Sequence, residues 1–196
     1  MEEPDVSIRR DEPMSAMPSE RLERRPMSYD EFLALPEHVR AEWVDGVAIM
    51  SPPARRPHNR VARRLANLVE TACPDLEVDT ESGVRTGERK YRIPDVSVIP
   101  VMDDAVFTEV IPVMVVEVLS PSSRSEDTLR KSGEYLAAGI GQYWIVDPTY
   151  HSLTVLGAGA EGWEIVLELD ETHPTGEVTV GEHGVVPIDL ATLLAP

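Results

Sequence analysis

The spacing of apolar residues changes several times along this 196-residue chain, and the changes mark out its elements. Residues 1–25 have no period: Glu, Asp, Arg, Pro and Ser alternate with few apolar positions. The stretch reads as a disordered arm, with residues 26–196 as a single domain. Periodicity begins at Ser28, an N-cap with Glu31 three residues on completing a capping box, and a short helix through Phe32 and Leu33 stops before Pro36. Glu42 to Met50 (EWVDGVAIM) centres on Asp45-Gly46, a strong hairpin signal. Residues 57–72 place Val61, Leu65, Leu68 and Val69 at helical spacing, with Pro57 in the first turn.

Strand-like runs follow at Leu76–Val78, Gly83–Arg85 and Ile93–Ile99. Val113–Leu119 (VMVVEVL) is apolar almost throughout, as a strand covered on both faces would be. Ser120-Pro121-Ser122-Ser123 makes a turn, and Ser125 with Glu126 and Asp127 opens a helix over 124–138 that ends at Gly139. Tyr143–Val146, Leu153–Leu156, Trp163–Leu169 and Val178–Val180 complete the strands. The expected architecture is α/β: a mixed central sheet flanked by helices 57–72 and 124–138, with a β-rich C-terminal extension.

Composition adds limits. No run of 18 apolar residues predicts a membrane helix, and MEEPDVSIRRDEPM lacks the apolar region of a secretory signal. The single cysteine, Cys73, excludes an intramolecular disulfide, reads as a packing residue and suits a cytoplasmic protein. A formal charge of −17 argues against a simple nucleic-acid binder. The charge is uneven, however. Arg55 to Arg92 holds eight Arg and Lys90 against six acids, whereas Ser132 to Pro196 has ten acids and no Lys or Arg. This is either a solvated acidic face with incidental basic patches or a basic flank beside an acidic metal site. Nucleic acid, if bound, is expected along Arg55 to Arg64 and Arg85 to Arg92, and the C-terminal strand edges suggest a homodimer.

Two carboxylates stand where a packed protein avoids them. Glu117 interrupts the apolar strand VMVVEVL, and Asp95 follows Pro94 at the opening of IPDVSVI. An ionised carboxylate costs several kcal/mol to bury unless it is paired, hydrogen-bonded or metal-bound. Adjacent strands would bring the two together, and a divalent cation such as Mg²⁺ would remove their repulsion; local arginines are the alternative partners. The chain has only two lysines, Lys90 and Lys131. Asp127, Lys131 and Tyr135 recur every four residues and so share a helix face. Lys131 is either half of a surface pair with Asp127 or an ammonium reaching back over the acids to stabilise charge on a phosphate.

The linked segments EWVDGVAIMSPP, PHNRVARRL, RIPDVSVIP and VVEVLSPSSRSEDTLRKSGEYLAAGIGQYWIVDP resemble the Uma-two family of endonucleases, part of the PD-(D/E)XK superfamily with its restriction-endonuclease-like fold. The resemblance covers residues 28 to about 150 well and the remainder more loosely. It implies that Asp95 and Glu117 hold Mg²⁺ or Mn²⁺, with the Val118 carbonyl as a further ligand. The superfamily lysine two positions after the second acid is Leu119 here, and Lys131 is the matching candidate from the neighbouring helix. Glu42 matches a family acidic position, as an outer metal ligand or as a surface residue at a strand start. His58 and Tyr135 either support the site or are, respectively, a helix-terminal polar group and a half-buried helical tyrosine. The implied activity is hydrolysis of DNA phosphodiesters; the alternative is a non-catalytic nuclease-fold module for binding or protein interaction. No Gly-x-Ser-x-Gly elbow, His-Glu-x-x-His or Gly-rich phosphate loop points to another hydrolase class.

Overall fold

The computed structural model describes residues 22–36, 38–101, 110–121, 124 and 126–196. Strand β1 (Glu23–Pro26) precedes helix α1 (Tyr29–Leu33), which the Ser28–Glu31 capping box opens. The Asp45-Gly46 turn joins β2 (Ala41–Val44) to β3 (Val47–Met50), with both turn residues at positive φ as a tight hairpin of this type demands. Helix α2 (Arg56–Ala72) leads to β4 (Leu76–Thr80), β5 (Val84–Gly87), β6 (Lys90–Arg92), β7 (Val96–Pro100) and β8 (Met114–Val118). A π-helical segment (Glu126–Lys131) runs into α3 (Ser132–Ala137). Then come β9 (Gln142–Asp147), β10 (Ser152–Gly159), β11 (Gly162–Leu169), β12 (Thr175–Val180), β13 (Gly184–Asp189) and α4 (Leu190–Leu194).

Three sheets result. One has the order β1-β3-β2-β6-β5, a second the order β11-β10-β9-β8-β7-β4, and β12 pairs with β13 alone. Among the described strands only β8 and β9 run parallel; the π-helical segment and α3 form the crossover between them. Strand alternation sorts the second sheet's side chains. Met114, Val116 and Val118 pack with α2 through Val61, Leu65 and Val69, and the C-terminal hairpin and α4 close the same core. Val115 lies on the opposite face with Tyr135, Ile140 and Tyr143, so Glu117, two residues on, turns toward the α3 side. Cys73 is fully buried, as a packing residue should be.

Several expectations change. The run read as one strand over Ile93–Ile99 is broken: β6 ends at Arg92, β7 starts at Val96, and the chain passes from one sheet to the other between them. Pro94 has no N–H for a ladder, and the Asp95 carboxylate takes the Val118 N–H that a neighbouring strand's carbonyl would otherwise take. Glu23 to Arg25, placed in the disordered arm by composition, pair with β3 as an exposed edge strand; residues 1–21 of that arm lie outside the described residues. So do Ser122, Ser123 and Ser125 of the expected turn and helix start. Strands β6 and β13 and helix α4 are additional to the elements expected.

Candidate active site

Asp95 sits at the junction of the two large sheets. Its N–H still donates to the Val116 carbonyl, while its Oδ2 accepts the Val118 N–H at 2.8 Å. Val118 thus meets Asp95 through its backbone amide. The same Oδ2 lies 3.1 Å from His58 Nε2 at the start of α2, and Oδ1 lies 3.0 Å from Arg40 Nη2. Arg40 also reaches Glu81 at 3.1 Å. Burial alone would push the Asp95 carboxyl up. His58, Arg40 and the Val118 amide outweigh it and hold the carboxyl down at about 2. The same contact raises the His58 imidazole above its ordinary value, against its own burial.

Glu117 is buried from solvent and meets two donors at one oxygen. Lys131 Nζ lies 2.8 Å from its Oε1, and the Tyr135 hydroxyl donates to that oxygen at 2.7 Å. Burial first, and then the nearby charges of Asp127, Asp95 and Glu42, raise the Glu117 carboxyl well above the carboxylate range despite Lys131. The two acids are thus driven apart, one ionised and one inclined to hold a proton, as happens where carboxylates share a site without enough cation.

Lys131 is not a surface residue. It is 5% exposed and lies within 2.8 Å of Glu42 Oε1 and 3.1 Å of Asp127 Oδ1 as well as at Glu117. Burial opposes its charge, but Glu117, Glu42 and Asp127 overcome that and keep the ammonium well above its ordinary range. The pair with Asp127 therefore exists, but inside the protein. The π-helical segment explains the grouping. Its wider turn brings residues five apart onto one face, so Glu126 and Lys131 both point inward together with Asp127. Tyr135, expected to be half-buried, is fully enclosed.

Glu42 is likewise buried, which removes its reading as a surface residue. Its Oε1 accepts the Ile93 N–H at 3.0 Å, and its Oε2 meets Arg92 Nη1 at 2.8 Å. Arg92, with no exposed surface, continues to Glu126 at 3.0 Å and makes a two-pronged contact with Glu134 through Nε and Nη2. Sequence reasoning missed Arg40, Arg92, Glu126 and Glu134 as parts of this network. Arg92 belongs by sequence to the basic flank expected for nucleic acid; a fully buried guanidinium clasped by three carboxylates cannot serve there. Elsewhere on that flank Arg60 and Arg64 donate to C-terminal carbonyls, whereas Arg56, Arg63, Arg85 and Arg89 are exposed.

Among the described residues, no group of three or more His, Cys, Asp or Glu side chains is disposed to hold a metal unaided. None of the described helices is long and apolar enough to cross a membrane. No curated protein matches the chain. A solved structure does: a protein of Anabaena variabilis ATCC 29413, described as a "putative nuclease belonging to DUF820", superimposes with a TM-score of 0.70 at 22% identity, over 87% of this chain and 98% of that one. That likeness shows the nuclease-type fold. The sequence model of a family described as "Putative restriction endonuclease" matches residues 29–193, which span the whole charged network from Arg40 to Tyr135. The chain belongs to that family, Uma-two.

Proposed function

We propose that the protein is a divalent-metal-dependent endonuclease that hydrolyses DNA phosphodiester bonds, with Asp95 and Glu117 holding Mg²⁺ or Mn²⁺. The observation that carries this reading is the buried ammonium of Lys131, 2.8 Å from Glu117 Oε1, in a chain whose position 119 is leucine. The residues fit such an ion. Asp95 and Glu117 offer hard oxygen donors, and Mg²⁺ uses one or two carboxylates with waters and substrate phosphate, so a full protein cage is unnecessary. Burial first, and then the neighbouring acids, disfavour the Glu117 carboxylate, and a divalent ion beside it would counter both.

The bound ion would supply polarisation of the phosphate and of the attacking water. This chain's own residues supply the rest. His58 and Arg40 keep Asp95 ionised, and Tyr135 fixes the orientation of Glu117. Glu42 and Asp127 hold the Lys131 ammonium in place, where it would stabilise charge developing on the scissile phosphate. The Val118 carbonyl is a further donor in this reading. The same reading places the protein in the cytoplasm and pairs it as a homodimer through an exposed strand edge, where β11 carries exposed Ile165 and Val166. Sedimentation as a monomer at high concentration would remove the dimer.

One observation favours a second reading, a nuclease-fold module without catalysis: Asp95, Glu117 and Lys131 are all nearly enclosed and already have protein partners, Asp95 with His58 and Arg40, and Glu117 with Lys131. Thermal melting separates the two. A working metal site predicts that Mn²⁺ raises the melting temperature of wild type and not that of Asp95→Ala, since a ligand that binds only the folded state stabilises it by mass action. Equal response of the two proteins to Mn²⁺ would favour the non-catalytic module.

A further inference from the structure

A cavity of about 400 Å³ opens beside the charged network, between the five-stranded sheet and the π-helical segment. Strand register defines its floor. Arg24 opposes Ile49 and Pro26 opposes Val47, while Glu42 opposes Ile49 across the next ladder. Opposed residues share a face, so Val47 and Ile49 present an apolar floor on the face that also carries Glu42. Arg92 and Glu126 form the inner wall, so the cavity abuts the layer of residues that holds Lys131.

The charge at its mouth is unbalanced. Arg24 and Arg130 both reach the Oε2 atom of Glu126, Arg130 at 3.7 Å, and among the described residues neither guanidinium pairs with a second acid. Two exposed cations therefore share one carboxylate, which itself also faces Arg92. Glu126 is 4% exposed, and its Oε1, 3.0 Å from Arg92 Nη1, takes no hydrogen bond. The cavity thus combines surplus positive charge at the rim with an apolar floor. A size of several hundred cubic ångströms is that of a small-molecule site.

We infer that this cavity is a subsite for one nucleotide of a nucleic-acid strand, with its phosphate on Arg24 and Arg130 and its base against Val47 and Ile49. The inference rests on the nuclease reading for its choice of ligand, and its test does not require cleavage. Binding of deoxyguanosine 5′-monophosphate is measured by calorimetry in the presence of EDTA, beside inorganic phosphate. Wild type is expected to bind the nucleotide more tightly than phosphate. The Arg24→Ala/Arg130→Ala double variant is expected to lose about tenfold or more in affinity, as the removal of charge-assisted hydrogen bonds implies. Should the double variant fold poorly, Arg130→Ala alone carries the test, because that side chain is 62% exposed.

Nucleotide binding that survives both substitutions, phosphate binding as tight as nucleotide binding, or no binding by wild type overturns the subsite. A protein that nicks DNA yet binds no nucleotide here loses the subsite alone; one that binds nucleotide yet never nicks loses the nuclease reading alone.

Discussion

Three carboxylates surround the Lys131 ammonium, and each would be left short of a partner if it were removed. That position decides what Lys131→Met should do. Breaking a buried ion pair by deleting one partner costs about 3–5 kcal/mol, against under about 1 kcal/mol for an exposed pair. Urea unfolding of Lys131→Met should therefore show a loss of several kcal/mol. A loss below about 1 kcal/mol would place the amine in solvent and contradict the enclosed geometry. Activity of this variant has to be read beside its stability, because the same side chain serves both. At this scale the sequence was informative where a charge interrupts an apolar run, as Glu117 does in VMVVEVL. It did not reveal that Arg92, read as part of the basic flank, is buried, and it left Glu42 between a metal ligand and a surface residue. In AEWV the Trp43 face is plainly the inner one, which leaves Glu42 looking outward until the π-helical segment and α3 cover that side as well.

Among the elements, β9 is tied at Asp147 to Arg124, two residues before the π-helical segment. The Asp147 carboxylate accepts the Thr149 and Tyr150 N–H groups at 3.0 and 3.3 Å and pairs with Arg124. Burial acts to raise this carboxyl, but Arg124 and the two amides prevail and hold it below its ordinary value. A depressed folded-state value contributes stability above the unfolded value, about 3.9, and loses it as pH falls through the folded value. The stability advantage of wild type over Asp147→Asn should accordingly be full near pH 6 and shrink below about pH 4. Thermal melts of both proteins across that range check the sign; an advantage that grows toward acid would contradict it. Elements were legible where local chemistry fixes them: the Asp45-Gly46 turn, the Ser28 cap and the periodic α2 all formed as read. Strand β13 was not, because Pro187 lies within it; a two-strand hairpin leaves an open edge on which proline's missing N–H costs no ladder bond.

For the whole molecule the difficulty is charge. A protein of formal charge −17 must present its few basic residues on one side to hold a polyanion. Arg56 and Arg63, both exposed on α2, remain available for that after the structure removes Arg92. Nitrocellulose-filter or fluorescence titrations of duplex DNA should show affinity falling with salt. The Arg56→Ala/Arg63→Ala variant should bind more weakly, with a slope shallower by about 0.9 for each phosphate no longer neutralised. An unchanged slope would put the DNA elsewhere. The approach of Lys131 from its helix to Glu117 was legible in the sequence. The compensating shell of Arg40, Arg92, Glu126 and Glu134 was not, since its ion pairs join residues far apart in the chain, 42 positions from Arg92 to Glu134, 50 from Arg92 to Glu42 and 55 from Arg40 to Asp95.

The central claim is that Asp95 and Glu117 form a metal-dependent nuclease centre, and plasmid nicking in Mn²⁺ tests it most directly. Supercoiled plasmid is incubated with wild type and with Asp95→Asn, a near-isosteric change that removes the ionised carboxylate held by His58 and Arg40. The expected result is open-circular product from wild type that EDTA abolishes, and none above background from a folded Asp95→Asn protein. Nicking retained by Asp95→Asn, or undiminished by EDTA, would contradict the assignment.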